Sequence, residues 1–138
     1  MTREIKFRAW GGRRMDGTKE IVNEMIYFGL FDLDESVYFK GDLIDLQEAK
    51  IMQSTGLTDK NGKKIYEGDI LQNTWKNFGL EEDNTDVLYE VVFEKGGFQV
   101  KGHRAIEGET RRITEINLYD TFEIIGDIYS NPGLITNP

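Results

Sequence analysis

A chain of 138 residues with 38% apolar and 12% aromatic side chains can bury one core, and with two prolines and no low-complexity tract it reads as neither disordered nor repetitive. The lack of cysteine excludes disulfide staples, thiolate zinc sites and cysteine nucleophiles together. The net charge of −8 opposes unspecific attraction to nucleic acid, and no apolar run reaches the ~20 residues of a membrane span, so a cytoplasmic protein with no membrane segment is expected.

In chain order, Ile5, Phe7 and Ala9 alternate with Lys6 and Arg8, the period of a strand with one wet face, and Trp10-Gly11-Gly12 ends it. Residues 25–31 are almost wholly apolar and aromatic, which suits a buried strand. Val37-Tyr38-Phe39 follows a polar segment, so 25–39 reads as a hairpin. Residues 42–52 are the best helix candidate, because Leu43, Leu46 and Ala49 lie three apart behind Asp42; Ile51-Met52-Gln53 equally suits the opening of a strand. Asn61-Gly62 and Glu67-Gly68-Asp69 are tight-turn signals around Ile65-Tyr66, and Asn61-Gly62 suits a primed hairpin turn with positive φ at both positions. Ile70 starts a strand running to about residue 75, and 76–86 reads as an exposed acidic excursion. Val87–Phe93 and Phe98–Val100 flank Glu94-Lys95-Gly96-Gly97, a hairpin signal. Ile113, Ile116 and Leu118 lead to a last strand near 122–128, and Asn131-Pro132-Gly133 breaks it. The expected fold is mainly β: one domain over 1–138 with an antiparallel, barrel-like core of short strands and at most one or two short helices, with α+β as the alternative.

Three blocks, IKFRAW (5–10), TGLTDKNGKKIYEGDI (55–70) and FEIIGDIYSNPGLI (122–135), together resemble the YopX family of proteins encoded by bacteriophages and prophages. The resemblance implies a mainly β protein, a phage or prophage origin and action inside a bacterial host. It supplies no catalytic residues. A binding or assembly module that touches itself or an unidentified phage or bacterial protein is the expected function, with no cofactor. A metal-dependent phosphodiesterase and a nucleic-acid-binding protein are the alternatives.

The residues that would carry those alternatives also have plain structural readings. Asp59, Glu67 and Asp69, with Asp127 as a further candidate, are oxygen ligands of the kind that hold Mg²⁺ or Ca²⁺. A calcium loop opening at Asp59 would need glycine sixth and an acid twelfth; Gly62 is fourth and Ile70 twelfth, so turn capping is favoured. Residues 1–14 carry a net charge of +4, which makes Arg8, Arg13 and Arg14 candidates for phosphate contact, although such asymmetry usually marks a solvated surface. His103 has no nucleophile or orienting acid near it in sequence and reads as a surface residue. Aromatics such as Tyr27, Phe28, Tyr38, Phe39, Trp75 and Tyr89 suit base stacking in a basic groove, but in an acidic chain they read as core.

Overall fold

The computed structural model describes residues 6–18, 20–29, 37–73, 87–104, 106–116 and 121–135. The acidic excursion expected at 76–86, and Trp75, lie outside them. The chain divides into two compact units, 1–56 and 57–138. Antiparallel strands build both, and the fold is mainly β.

In the first unit β1 (Lys6–Trp10) lies between β3 (Met25–Gly29) and β6 (Lys50–Thr58), with Ala9 opposite Ile26 and Ile51. β6 runs on through the unit boundary. Arg8, expected on a wet face, is 3% exposed. Strand alternation separates two faces without fixing which of them meets water: Arg8 is buried although Tyr27, opposite it on the same face, is 59% exposed.

A second, small sheet has the order β2-β5-β4, formed by Arg13–Arg14, Asp42–Asp45 and Val37–Phe39. Lys40 and Gly41 have φ of 51° and 86°, the signature of a two-residue primed turn, and this fixes Val37 opposite Ile44. The helix expected over 42–52 is therefore absent, and the hairpin expected over 25–39 is replaced by β3 pairing with β1 and β4 with β5. Ile44 joins Ala9, Val22, Ile26, Phe28 and Val37 in the core, whereas a helix would have buried Leu43. Leu46 and Ala49 still pack on that core, but from a turn in which the Ala49 N–H donates to Leu46 O and the Gln47 N–H to Asp45 Oδ1.

The second unit is organised by the sheet β11-β10-β9-β8-β12: Thr110–Arg112, Gly97–Arg104, Val87–Glu94, Asp69–Asn73 and Phe122–Asp127. A short strand, β7 (Lys64–Tyr66), precedes it. The hairpin expected around Lys95-Gly96 forms, with φ of 54° and 79° at those residues and Glu94 opposite Gly97. Leu71, Tyr89, Val91, Val100 and Phe122 fill one face, capped by Ile65 and Ile113. Ile113 opens a single 3-10 turn, Ile113–Glu115.

Among the described residues no sheet closes into a barrel. Turns occupy edges where further strands would have to add. Arg14 N–H donates to Glu20 O beside β2, and Lys60 N–H donates to Phe122 O beside β12. No helix of the described residues is long and apolar enough to cross a membrane.

Candidate functional site

The acidic candidates sit on turns of the second unit. Asp59 opens a loop in which its own N–H donates to Lys63 O and the Gly62 N–H donates to Asp59 O. Gly62 takes a φ of 79°, but Asn61 is not left-handed, so this is a type I turn closed by a glycine and not the expected primed turn. The Asp59 side chain is 3% exposed. Its Oδ1 accepts from the Asn61 and Lys63 N–H groups, both at 2.9 Å, and its Oδ2 accepts from the Ile124 N–H at 2.9 Å. Ile124 is 65 residues away in sequence and lies on edge strand β12. One carboxylate thus shapes its own turn and stands where the carbonyl of a further strand would pair with β12.

Asp69 is 2% exposed and its Oδ2 accepts from the Tyr66 N–H at 2.8 Å, closing the turn in which Gly68 has a φ of 89°. Asp127 is the cross-strand partner of Asp69, and its Oδ1 accepts from the Tyr129 and Ser130 N–H groups at 2.9 and 2.8 Å. The fold therefore brings Asp127 beside Asp69, while Asp59 meets β12 at Ile124, on the other side of the irregularity between Ile124 and Gly126. Glu67 is half-buried in the Tyr66–Asp69 turn. Among the described residues no three His, Cys, Asp or Glu side chains are placed together to hold a metal ion.

The arginine candidates are dispersed and engaged. Arg8 is buried, with Tyr27 and Met52 as its neighbours in register. Arg13 Nε donates to Glu48 Oε2 at 2.9 Å. Arg14 pairs with Asp42 and lies 5.7 Å from the centre of the Phe39 ring. Arg13 and Arg14 each already face a carboxylate, which offsets part of their charge and reduces the attraction that counterion release provides.

His103 departs from its expected surface position: it is 8% exposed, with Nε2 at 3.1 Å from Glu90 Oε1 and Nδ1 at 3.8 Å from Glu107 Oε2. Burying an imidazole calls for polar partners, and a facing strand and a following turn supply them. Tyr89, on the opposite face, lies in the core as expected, whereas Tyr27 and Tyr38, read the same way, are exposed. Tyr89 is 4% exposed, packs 5.6 Å from Phe122 between ring centres and hydrogen-bonds to Glu109, which also accepts from Arg111 Nε. Burial, followed by the negative charge of Glu109, raises the Tyr89 phenol above its ordinary value of 10.0.

A phenol whose pKa is raised by folding contributes stability that is complete below its unfolded value and lost as pH rises through the folded value. Urea midpoints should consequently fall on going from pH 8 to pH 11, roughly centred above the ordinary tyrosine value of about 10. Tyr89→Phe should flatten part of that decline; an unchanged alkaline slope in the variant would contradict the role given to Tyr89.

A family model described as YopX protein matches residues 6–136. No curated protein matches the chain. Among solved structures, the crystal structure of protein EF1440 from Enterococcus faecalis is 23% identical, covers 96% of this chain and 98% of its own, and superposes with a TM-score of 0.49.

Proposed function

The chain belongs to the YopX family, and from that premise we propose that it is a phage- or prophage-encoded binding or assembly module that acts through protein contacts in the cytoplasm of a bacterial host. The observation that carries this reading is the Asp59 carboxylate, which receives three backbone N–H groups from two separate segments. The side chain most suggestive of chemistry in the sequence therefore serves to join a turn to a strand edge. Asp69 and Asp127 accept from backbone N–H groups in the same way. The pairing of Arg13 with Glu48 and of Arg14 with Asp42 supports a protein partner over a polyphosphate.

The test combines affinity capture of the tagged full chain from bacteria with induced prophage and incubation of the purified chain with Mg²⁺ or Mn²⁺ and DNA or RNA. A stoichiometric protein complex, without cleavage, is expected. Divalent-dependent cleavage that disappears in Asp69→Asn would overturn the reading in favour of a phosphodiesterase. A salt-sensitive nucleic-acid complex lost in Arg13→Ala would overturn it in favour of nucleic-acid binding.

A further inference from the structure

Asn61 is the only asparagine of the chain that is followed by glycine. The pair has a chemistry that turn formation does not use. A deprotonated backbone nitrogen attacks the carboxamide carbon of a preceding asparagine, and glycine presents no side chain to hinder the approach. Both residues are exposed, and a Cβ on Gly62 would meet nothing within 4 Å, so water and base reach the site. In the folded turn, however, both reacting groups are engaged. The Gly62 N–H donates to Asp59 O at 3.0 Å, which keeps the proton on the nitrogen and directs it into the turn. Asn61 Nδ2, the leaving group, donates to Glu123 Oε2 at 3.4 Å. The Asn61 and Lys63 N–H groups on Asp59 Oδ1, and the Asp59 N–H on Lys63 O, brace the backbone on either side.

We propose that Asn61 is a self-modification site, converted through a succinimide to aspartate or isoaspartate when the Asp59 turn opens, and that isoaspartate then prevents the turn from closing again. The Gly62 nitrogen gives its proton to solvent base and forms a bond to Asn61 Cγ. The Cγ–Nδ2 bond breaks, and the amide group leaves as ammonia after taking a proton from water. A second water opens the imide. Cleavage of the bond between the nitrogen and Cγ gives aspartate on an unchanged backbone. Cleavage of the bond between the nitrogen and the residue 61 carbonyl carbon gives isoaspartate, whose backbone runs through Cβ and Cγ and is longer by one carbon. Water enters and ammonia leaves, with no redox change. The reaction needs no partner and is independent of the binding-module reading.

The two products act differently on the fold. Aspartate sets a carboxylate beside Glu123 in place of the amide donor, and at an exposed position that repulsion is weak. Isoaspartate lengthens the segment between the Asn61 and Gly62 N–H groups, so the two no longer meet the Asp59 carboxylate and carbonyl together. Asp59 is also the acceptor of the Ile124 N–H on β12, and loss of the turn therefore reaches a strand edge 65 residues away. Because the ammonia is lost to solvent, the change runs one way.

Incubation of the full chain at mildly alkaline pH, folded or in urea, followed by mass spectrometry of the peptide containing residue 61, tests this. Conversion in urea should exceed that in the folded chain by about tenfold or more, because opening of the braced turn must precede reaction. Asp59→Ala should bring the folded rate toward the urea rate. Asp59→Asn should lie between, and it carries the comparison if the alanine variant does not fold. Val100→Ala, which destabilises the core and removes no bond of the turn, should leave the folded rate near that of the wild type. The isoaspartate form, separated from the unmodified chain, should show faster amide exchange at Ile124. Equal conversion in folded and urea-treated chains would overturn the proposal, as would no conversion in urea. Equal acceleration in Val100→Ala and Asp59→Ala would assign exposure of the site to global unfolding and overturn gating by the turn. Unaltered exchange at Ile124 in the isoaspartate form would overturn the effect on β12.

Discussion

Asp59→Ala should destabilise the protein by about 3 kcal/mol or more. Three backbone N–H groups lose their acceptor at once, and each donor left unsatisfied where water is partly excluded costs roughly 1–3 kcal/mol. The loss acts in two places, because Asn61 and Lys63 belong to the turn and Ile124 to β12. Asp59→Asn keeps a single acceptor oxygen and should fall between wild type and alanine. Urea denaturation reads both as shifts of midpoint at constant slope. A shift corresponding to less than about 0.5 kcal/mol for alanine would mean that water replaces the carboxylate without penalty. Against a typical stability of about 5–15 kcal/mol, the expected loss is large enough to lower the yield of folded protein in the cell.

Gly102→Ala should be at least as damaging, for a steric reason. A Cβ on Gly102 would stand 2.2 Å from Ile106 O, a backbone atom in the tight turn that brings Glu109 back to β10. The Gly102 N–H donates to Glu109 O, and the Gly108 N–H donates to Gly102 O. The turn cannot retreat without losing these bonds, so a cost of about 3 kcal/mol or more is expected. Gly97 on the same strand is the control: a Cβ there meets nothing within 4 Å and its φ is not left-handed, so Gly97→Ala should lie within about 0.5 kcal/mol of wild type. Equal losses at the two positions would show that strand propensity, and not the close approach at Gly102, governs the effect.

What the sequence revealed and concealed follows from the range of the forces involved. The Lys95-Gly96 hairpin was legible because its turn chemistry is local and its register follows from the turn alone. The same register carried unused information. It places Glu90 opposite Lys101 and His103 opposite Leu88, hence the imidazole one row from the carboxylate that meets it. Residues 42–52 misled because Leu43, Leu46 and Ala49 satisfy a helical spacing, while the Lys40-Gly41 turn and the burial of Ile44 impose a strand. Turn capping by Asp59 was legible, since its Asn61 and Lys63 partners lie within four residues. Its bond to Ile124 was not, because no local rule selects a partner 65 residues away. Arg8 shows the limit of alternation, which assigns a residue to a face but does not say whether that face meets water.

The most direct measurement is amide hydrogen exchange, resolved by residue, at Asn61, Lys63 and Ile124 with and without excess Mg²⁺. If the Asp59 carboxylate is scaffold, all three amides exchange slowly, their rates do not respond to the ion, and all three become fast together in Asp59→Ala. Amides that exchange freely in the wild-type chain, or a saturable change on adding Mg²⁺ that vanishes in Asp59→Ala, would instead identify Asp59 as an ion ligand.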